Sequence, residues 1–195
     1  MDTLPRAFVW QRFGVESGSD PLEIFGDKET QRRDSGGLFL SGAGNALGPG
    51  IRALIAQEPS PVMVSPMQSR PKRIDRNPPS VVSWQSAIDL DGQPWAIPQG
   101  VKCTSRGHSA NAIKAKHNAL VLRSAERLVP IIDGRARIDP DALCNIVRKT
   151  GGGGSQTTAV VERRGLVVDP RYVVGLVCEL AAPYFVELRD PVRVG

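Results

Sequence analysis

The chain has 195 residues and carries 25 Lys and Arg against 20 Asp and Glu, a formal net charge of +5. At 41% hydrophobic and 5% aromatic residues, it is long enough for one ordinary domain, with a core built mainly of Val, Leu, Ile and Ala. No run of about 18 apolar residues occurs, so no membrane-spanning helix and no membrane partner are expected. The N-terminus lacks an apolar signal core after a basic start, so the chain is expected inside a cell or within a virion, not secreted through a signal peptide.

Residues 1–36 read as an N-terminal arm. Ala7 to Trp10 is a short apolar stretch, followed by Gly14, Gly18 and Pro21. Phe8, Trp10, Phe13 and Phe25 concentrate large rings here, and these need burial on the chain's own core or on a neighbouring subunit.

Residues 37–100 read as an irregular region with one small strand-helix-strand unit. Gly37 to Leu40 forms the first strand, Ile51 to Ala56 the helix and Val62 to Val64 the second strand. Between them, Gly42, Gly44 and Gly48 have the spacing of a loop that lets backbone approach a phosphate at a helix N-terminus. No acid closes the second strand to hold a ribose, and Pro49 is foreign to such motifs, so a plain glycine-rich loop is the favoured reading. Residues 66–100 are rich in proline, and Pro78-Pro79 excludes helix locally. Asp91-Gly92 marks a hairpin between Ala87–Leu90 and Pro94–Ile97.

Residues 101–195 read as a compact unit. A helix is expected over 109–128, capped by Ser109, with Ile113, His117, Leu120, Val121, Ala125 and Leu128 on one face and Lys116, Arg123, Glu126 and Arg127 on the other. A hairpin follows around Asp133-Gly134. Asp139-Pro140 opens a helix over 141–149 that stops at Gly151 to Gly154. Strands are expected over 157–162 and 165–168. Asp169-Pro170 opens a helix over 171–182, Pro183 ends it, and Tyr184 to Leu188 forms a last strand. The expected fold class is therefore α+β: a small mixed C-terminal domain behind a long irregular Gly/Pro-rich N-terminal region.

Chemistry-bearing motifs are scarce. There is no Gly-x-Ser-x-Gly elbow and there are only two histidines. Cys103, His108 and His117 match no zinc spacing. Lys149-Thr150 precedes the glycine run at 151–154, the reverse of a phosphate loop. The odd, widely spaced Cys103, Cys144 and Cys178 read as reduced thiols. No catalytic residue, metal or cofactor is assigned.

The charge is uneven. Residues 70–128 hold ten basic and four acidic groups, a net of +6, and the rest of the chain is −1. Arg70, Lys72, Arg73, Arg76, Lys102, Arg106, Lys116, Arg123 and Arg127 are the candidate contacts for nucleic acid or an acidic partner. The leading expectation is a non-enzymatic structural or interaction subunit of a large assembly, capsid-associated or ribonucleoprotein in kind, with other protein subunits as its partners. Two alternatives stand beside it: a nucleic-acid-binding protein using segment 70–128, and a nucleotide-dependent enzyme using the loop from Gly42 to Gly50.

Overall fold

Every residue of the first strand, β1 (Ala7–Gln11), is buried. Successive side chains of a strand face opposite ways, so this pattern demands cover on both faces. The computed structural model describes residues 5–12, 21–66, 80–107, 117–123, 129–130, 137–138, 143–149, 158–163 and 172–194. In it β1 lies between two partners inside a sheet. The other elements are α1 (Pro21–Asp34), β2 (Phe39–Ala43), a 3-10 turn (Asn45–Leu47), α2 (Gly48–Ile55), β3 (Val62–Pro66), β4 (Ser80–Ile88), β5 (Pro94–Trp95), β6 (Thr104–Gly107), β7 (His117–Arg123), β8 (Val129–Pro130), β9 (Arg137–Ile138), β10 (Leu143–Asn145), β11 (Thr158–Arg163) and β12 (Tyr172–Val194). The result is a small mixed α+β domain.

The strand path runs β10-β11-β1-β3-β12-β4-β5, with β7 also on β12 and β2 on β7. β1 and β3 are parallel, and their crossover is the long connection that contains α1, β2 and α2. The strand β12 organises the whole. Its first half pairs with β3, its middle with β7 and its last residues with β4. The register with β7 shifts between Leu180 and Phe185, at Tyr184 (φ 70).

Register partners share a face, and the faces divide the core. Val9, Met63, Val160 and Cys178 face one way and pack with Ile51 and Leu54 of α2 and Phe25 of α1. Phe8, Trp10, Val64, Ala159 and Val161 face the other way and are equally buried. Toward β4, Val82, Trp84, Ala119, Val121, Val186 and Leu188 form a third cluster. Ile51 and Leu54 are fully buried, and each contributes about 2 kcal/mol of transfer free energy to holding α2 on the sheet.

Among the described residues β2 has a strand partner on one edge only. Its Leu40 carbonyl accepts from Lys28 Nζ and its Gly42 carbonyl from Gln11 Nε2, each at 2.7 Å. Ser41 Oγ donates to Gln11 Oε1 at 3.0 Å. Side chains thus satisfy backbone groups that a further strand would otherwise take.

Several expectations are corrected. The strand-helix-strand unit is present, but β2 and β3 are not neighbours, so the glycine-rich turn does not sit in a doubly wound sheet. The helix expected over 109–128 is a strand where it is described, because Ala119 to Leu122 buries side chains on both faces and so shows no strand alternation in sequence. The helix expected over 141–149 is the short strand β10 and a turn. The helix expected over 171–182 is part of β12, whose Val173, Val174 and Val177 suit a strand, and Pro183 lies within the strand rather than ending it. The mixed unit is not confined to C-terminal residues: β1, β3 and β4 pair directly with β11 and β12. Phe8, Trp10 and Phe25 are buried in the chain's own core. The hairpin at Asp91-Gly92 is present, the strand expected over 157–162 is β11, and 80–86, expected to be irregular, belongs to the strand β4. Asp133-Gly134, Asp139-Pro140, Gly151 to Gly154, 165–168 and Asp169-Pro170 lie outside the described residues. Among the described residues no helix is long and apolar enough to cross a membrane.

Candidate functional site

The glycine-rich turn leaves β2 at Ala43 and passes through Gly44 in extended conformation (φ −70, ψ 153). The 3-10 turn follows, closed by the Leu47 amide on the Gly44 carbonyl at 3.4 Å, and Leu47 is buried as its anchor. α2 then starts at Gly48 with Pro49 in its first turn, where a missing amide hydrogen costs nothing. No side chain caps this end and no acid lies in its first turn. Gly50 sets how close the helix comes to the sheet. A Cβ there would lie 2.8 Å from Val160 Cγ2 and 2.9 Å from its Cβ, so only glycine allows α2 to rest on β11 at this depth.

The facing wall is built by a turn after β10. Asn145 Oδ1 accepts the amides of Val147 (3.0 Å) and Arg148 (2.9 Å), and the Asn145 carbonyl accepts that of Lys149 (2.8 Å, φ 55). This is the local side-chain bonding that makes asparagine a turn residue. The Ile146 amide bonds the Val160 carbonyl at 3.0 Å, which ties the turn to β11.

Between the walls lies a cleft of about 430 Å³. Gly44, Ala46, Leu47, Pro49 and Gly50 form one side, Asn145, Val147 and Arg148 the other, and Thr158, Ala159 and Val160 the floor. The lining is chiefly apolar and includes no carboxylate, imidazole or thiol among the described residues.

The residues singled out for chemistry in the sequence are placed differently. Of the candidate anion contacts, Arg70, Lys72, Arg73, Arg76, Lys116 and Arg127 lie outside the described residues. Lys102 is exposed, Arg106 lies in β6, and the exposed Arg123 pairs with Glu179 at 3.5 Å. Neither Lys102 nor Arg123 lines the cleft. His117 stacks on Trp84 with ring centroids 5.3 Å apart, above Gly42, where a Cβ would sit 3.5 Å from His117 Nε2. Burial pushes the Cys103 thiol up to about 11 and raises that of Cys178 as well, so neither is a ready thiolate at neutral pH. Among the described residues no group of His, Cys, Asp and Glu could hold a metal ion.

Asn145, Val147 and Arg148 were not found from sequence. Their one signal is the asparagine at 145, which falls inside the helix expected over 141–149. Compared with known proteins, the chain matches no family model, no curated protein and no solved structure, so a functional reading rests on its own geometry.

Proposed function

We propose that the protein binds a small ligand in the cleft between its glycine-rich turn and the Asn145–Arg148 turn. One observation carries this reading: the turn in which glycines crowd before a helix is also a wall of the cleft. A volume of about 430 Å³ falls within the roughly 300–1,000 Å³ of small-molecule sites. The lining, apolar with a few polar groups, is also of their kind. Nothing lies within 4 Å of a Cβ added at the exposed Gly44, so the backbone there is open to a ligand.

Ala46 is exposed on the cleft wall, so Ala46→Trp fills the cleft without touching the core. Ligand-observed NMR with a fragment mixture that includes nicotinamide and flavin nucleotides is expected to find binders to the wild type that the variant loses. Its unfolding free energy should stay within about 0.5 kcal/mol of the wild type, as for other surface changes. Equal binding by both proteins would place the site elsewhere.

A second reading, the assembly subunit, is favoured by β12. Among the described residues the exposed large hydrophobics are Val147, Val192 and Val194. Val192 and Val194 stand two apart in an extended strand and so share a face. Neighbouring exposed valines on one sheet face suit contact with another subunit. Light scattering is expected to give a mass above the 21.0 kDa of one chain, falling to one chain in the double variant Val192→Lys, Val194→Lys. A wild type that stays at one chain at all concentrations retires this reading.

A further inference from the structure

We propose that the cleft's ligand is a small organic anion, an apolar body ending in one carboxylate or phosphate group, and that Arg148 selects it. This rests on the cleft reading above.

The cations near the cleft differ in whether their charge is already matched. Lys149 Nζ lies 3.8 Å from Glu162 Oε2, and Arg6 shares that carboxylate at 4.0 Å. Arg52, on α2, pairs with Asp91 at 2.8 Å. Arg148 lines the cleft, and its guanidinium has neither a carboxylate nor a hydrogen-bond acceptor among the described residues. Its main chain is nonetheless fixed, because its amide is bonded to Asn145 Oδ1 at 2.9 Å. The turn therefore holds at the cleft the base of a guanidinium that is unpaired among the described residues. A guanidinium presents parallel N–H donors that match a carboxylate or phosphate with two bonds.

The remainder of the lining sets the other end of the ligand. Leu47, Pro49, Val147, Ala159 and Val160 offer apolar surface, which favours an aliphatic or aromatic body that removes it from water. A ligand with one anionic head and an apolar body meets both demands. A neutral molecule leaves Arg148 unmatched, and a cation is repelled by it. A polyanion such as a nucleotide triphosphate needs several cations, and Arg148 is the sole cation in the described lining.

The test is a titration of wild type and Arg148→Gln, followed by ligand-observed NMR, with hexanoate, hexyl phosphate, hexanol and hexylamine. The anions are expected to bind the wild type more tightly than hexanol, and hexylamine most weakly. The tighter of the two anions identifies the head group. Loss of a charge-assisted bond predicts about tenfold weaker anion binding in Arg148→Gln, with hexanol unchanged. The variant is expected to keep its unfolding midpoint, since the Arg148 side chain is exposed and its turn is held by the Asn145 side chain accepting main-chain amides. If hexanol binds as tightly as the tighter of the two anions, or if Arg148→Gln leaves that anion's affinity unaltered, selection by Arg148 is wrong and the cleft reading still stands. If none of the four binds, the proposal is overturned, and the fragment comparison with Ala46→Trp decides separately whether the cleft binds anything.

Discussion

Replacing Gly100 by alanine is expected to lower the unfolding free energy by about 3 kcal/mol, through backbone strain and overpacking together. Gly100 has φ +83, in the left-handed region that side chains disfavour. A Cβ there would also lie 2.5 Å from the Asp34 carbonyl oxygen and 3.1 Å from Ser35 Cα. These are main-chain atoms at the end of α1, and Ser35 is pinned by its hydroxyl to the Leu38 carbonyl, so no flexible side chain is present to give way. Gly92 is the natural control. Its φ is +76, but nothing lies within 4 Å of its added Cβ, so Gly92→Ala is expected to cost only about 1 kcal/mol. Denaturant unfolding of the two variants separates conformation from collision. Equal losses would mean that the loop at Gly100 does not press on α1.

The second large effect is a pH dependence. Burial lowers the Lys28 pKa to about 8, with Lys102 adding to the fall and Asp27 opposing it. The side chain as a whole is half-buried, and the burial falls on the ammonium end, which is bonded to the Leu40 carbonyl. Below pH 8 both folded and unfolded chains carry this charge, and the folded chain bears the full desolvation cost. Between pH 8 and the ordinary lysine value of 10.5, the folded chain releases the proton while the unfolded chain keeps it. The unfolded state then binds more protons, so stability rises with pH in this window. The wild type is expected to gain about 2–3 kcal/mol relative to Lys28→Met between pH 7.5 and 10.5. A difference that stays flat over this range would show that the ammonium is hydrated.

What the sequence made legible follows from where punctuation and burial agree. Asp91-Gly92 gives a hairpin because Asp89 Oδ1 takes the amides of Asp91 and Gln93, at 2.8 and 2.9 Å, and Gly92 supplies the positive φ. Thr158 to Val161 is rich in β-branched residues, and Pro49 stands where a helix begins. The missed elements share a cause. In β7, Leu120 and Leu122 enter one cluster while Ala119 and Val121 enter another, so the strand reads as an unbroken apolar run that also fits a helix face. In sequence, Asp169-Pro170 and Pro183 resemble the two ends of a helix, yet the strand β12 runs through Pro183 to Val194. The sequence leaves the aromatic residues of the first arm open between the chain's own core and a partner, because pairing of β1 with β3 and β11 is a long-range fact that no local window contains. The site divides the same way. Its glycine-rich wall stood out in sequence, whereas the wall carrying Arg148 depends on an asparagine side chain bonding two amides ahead of it.

The most direct test of the cleft as the functional site is amide chemical-shift mapping of the full chain with the tightest fragment or hexyl anion. The two walls are distant in sequence and face each other across the cleft. The prediction is that the amides of Gly44 to Gly50 and those of Ile146 to Lys149 shift together, with one dissociation constant. Shifts confined to other residues, or to one wall without the other, would contradict a ligand seated between them.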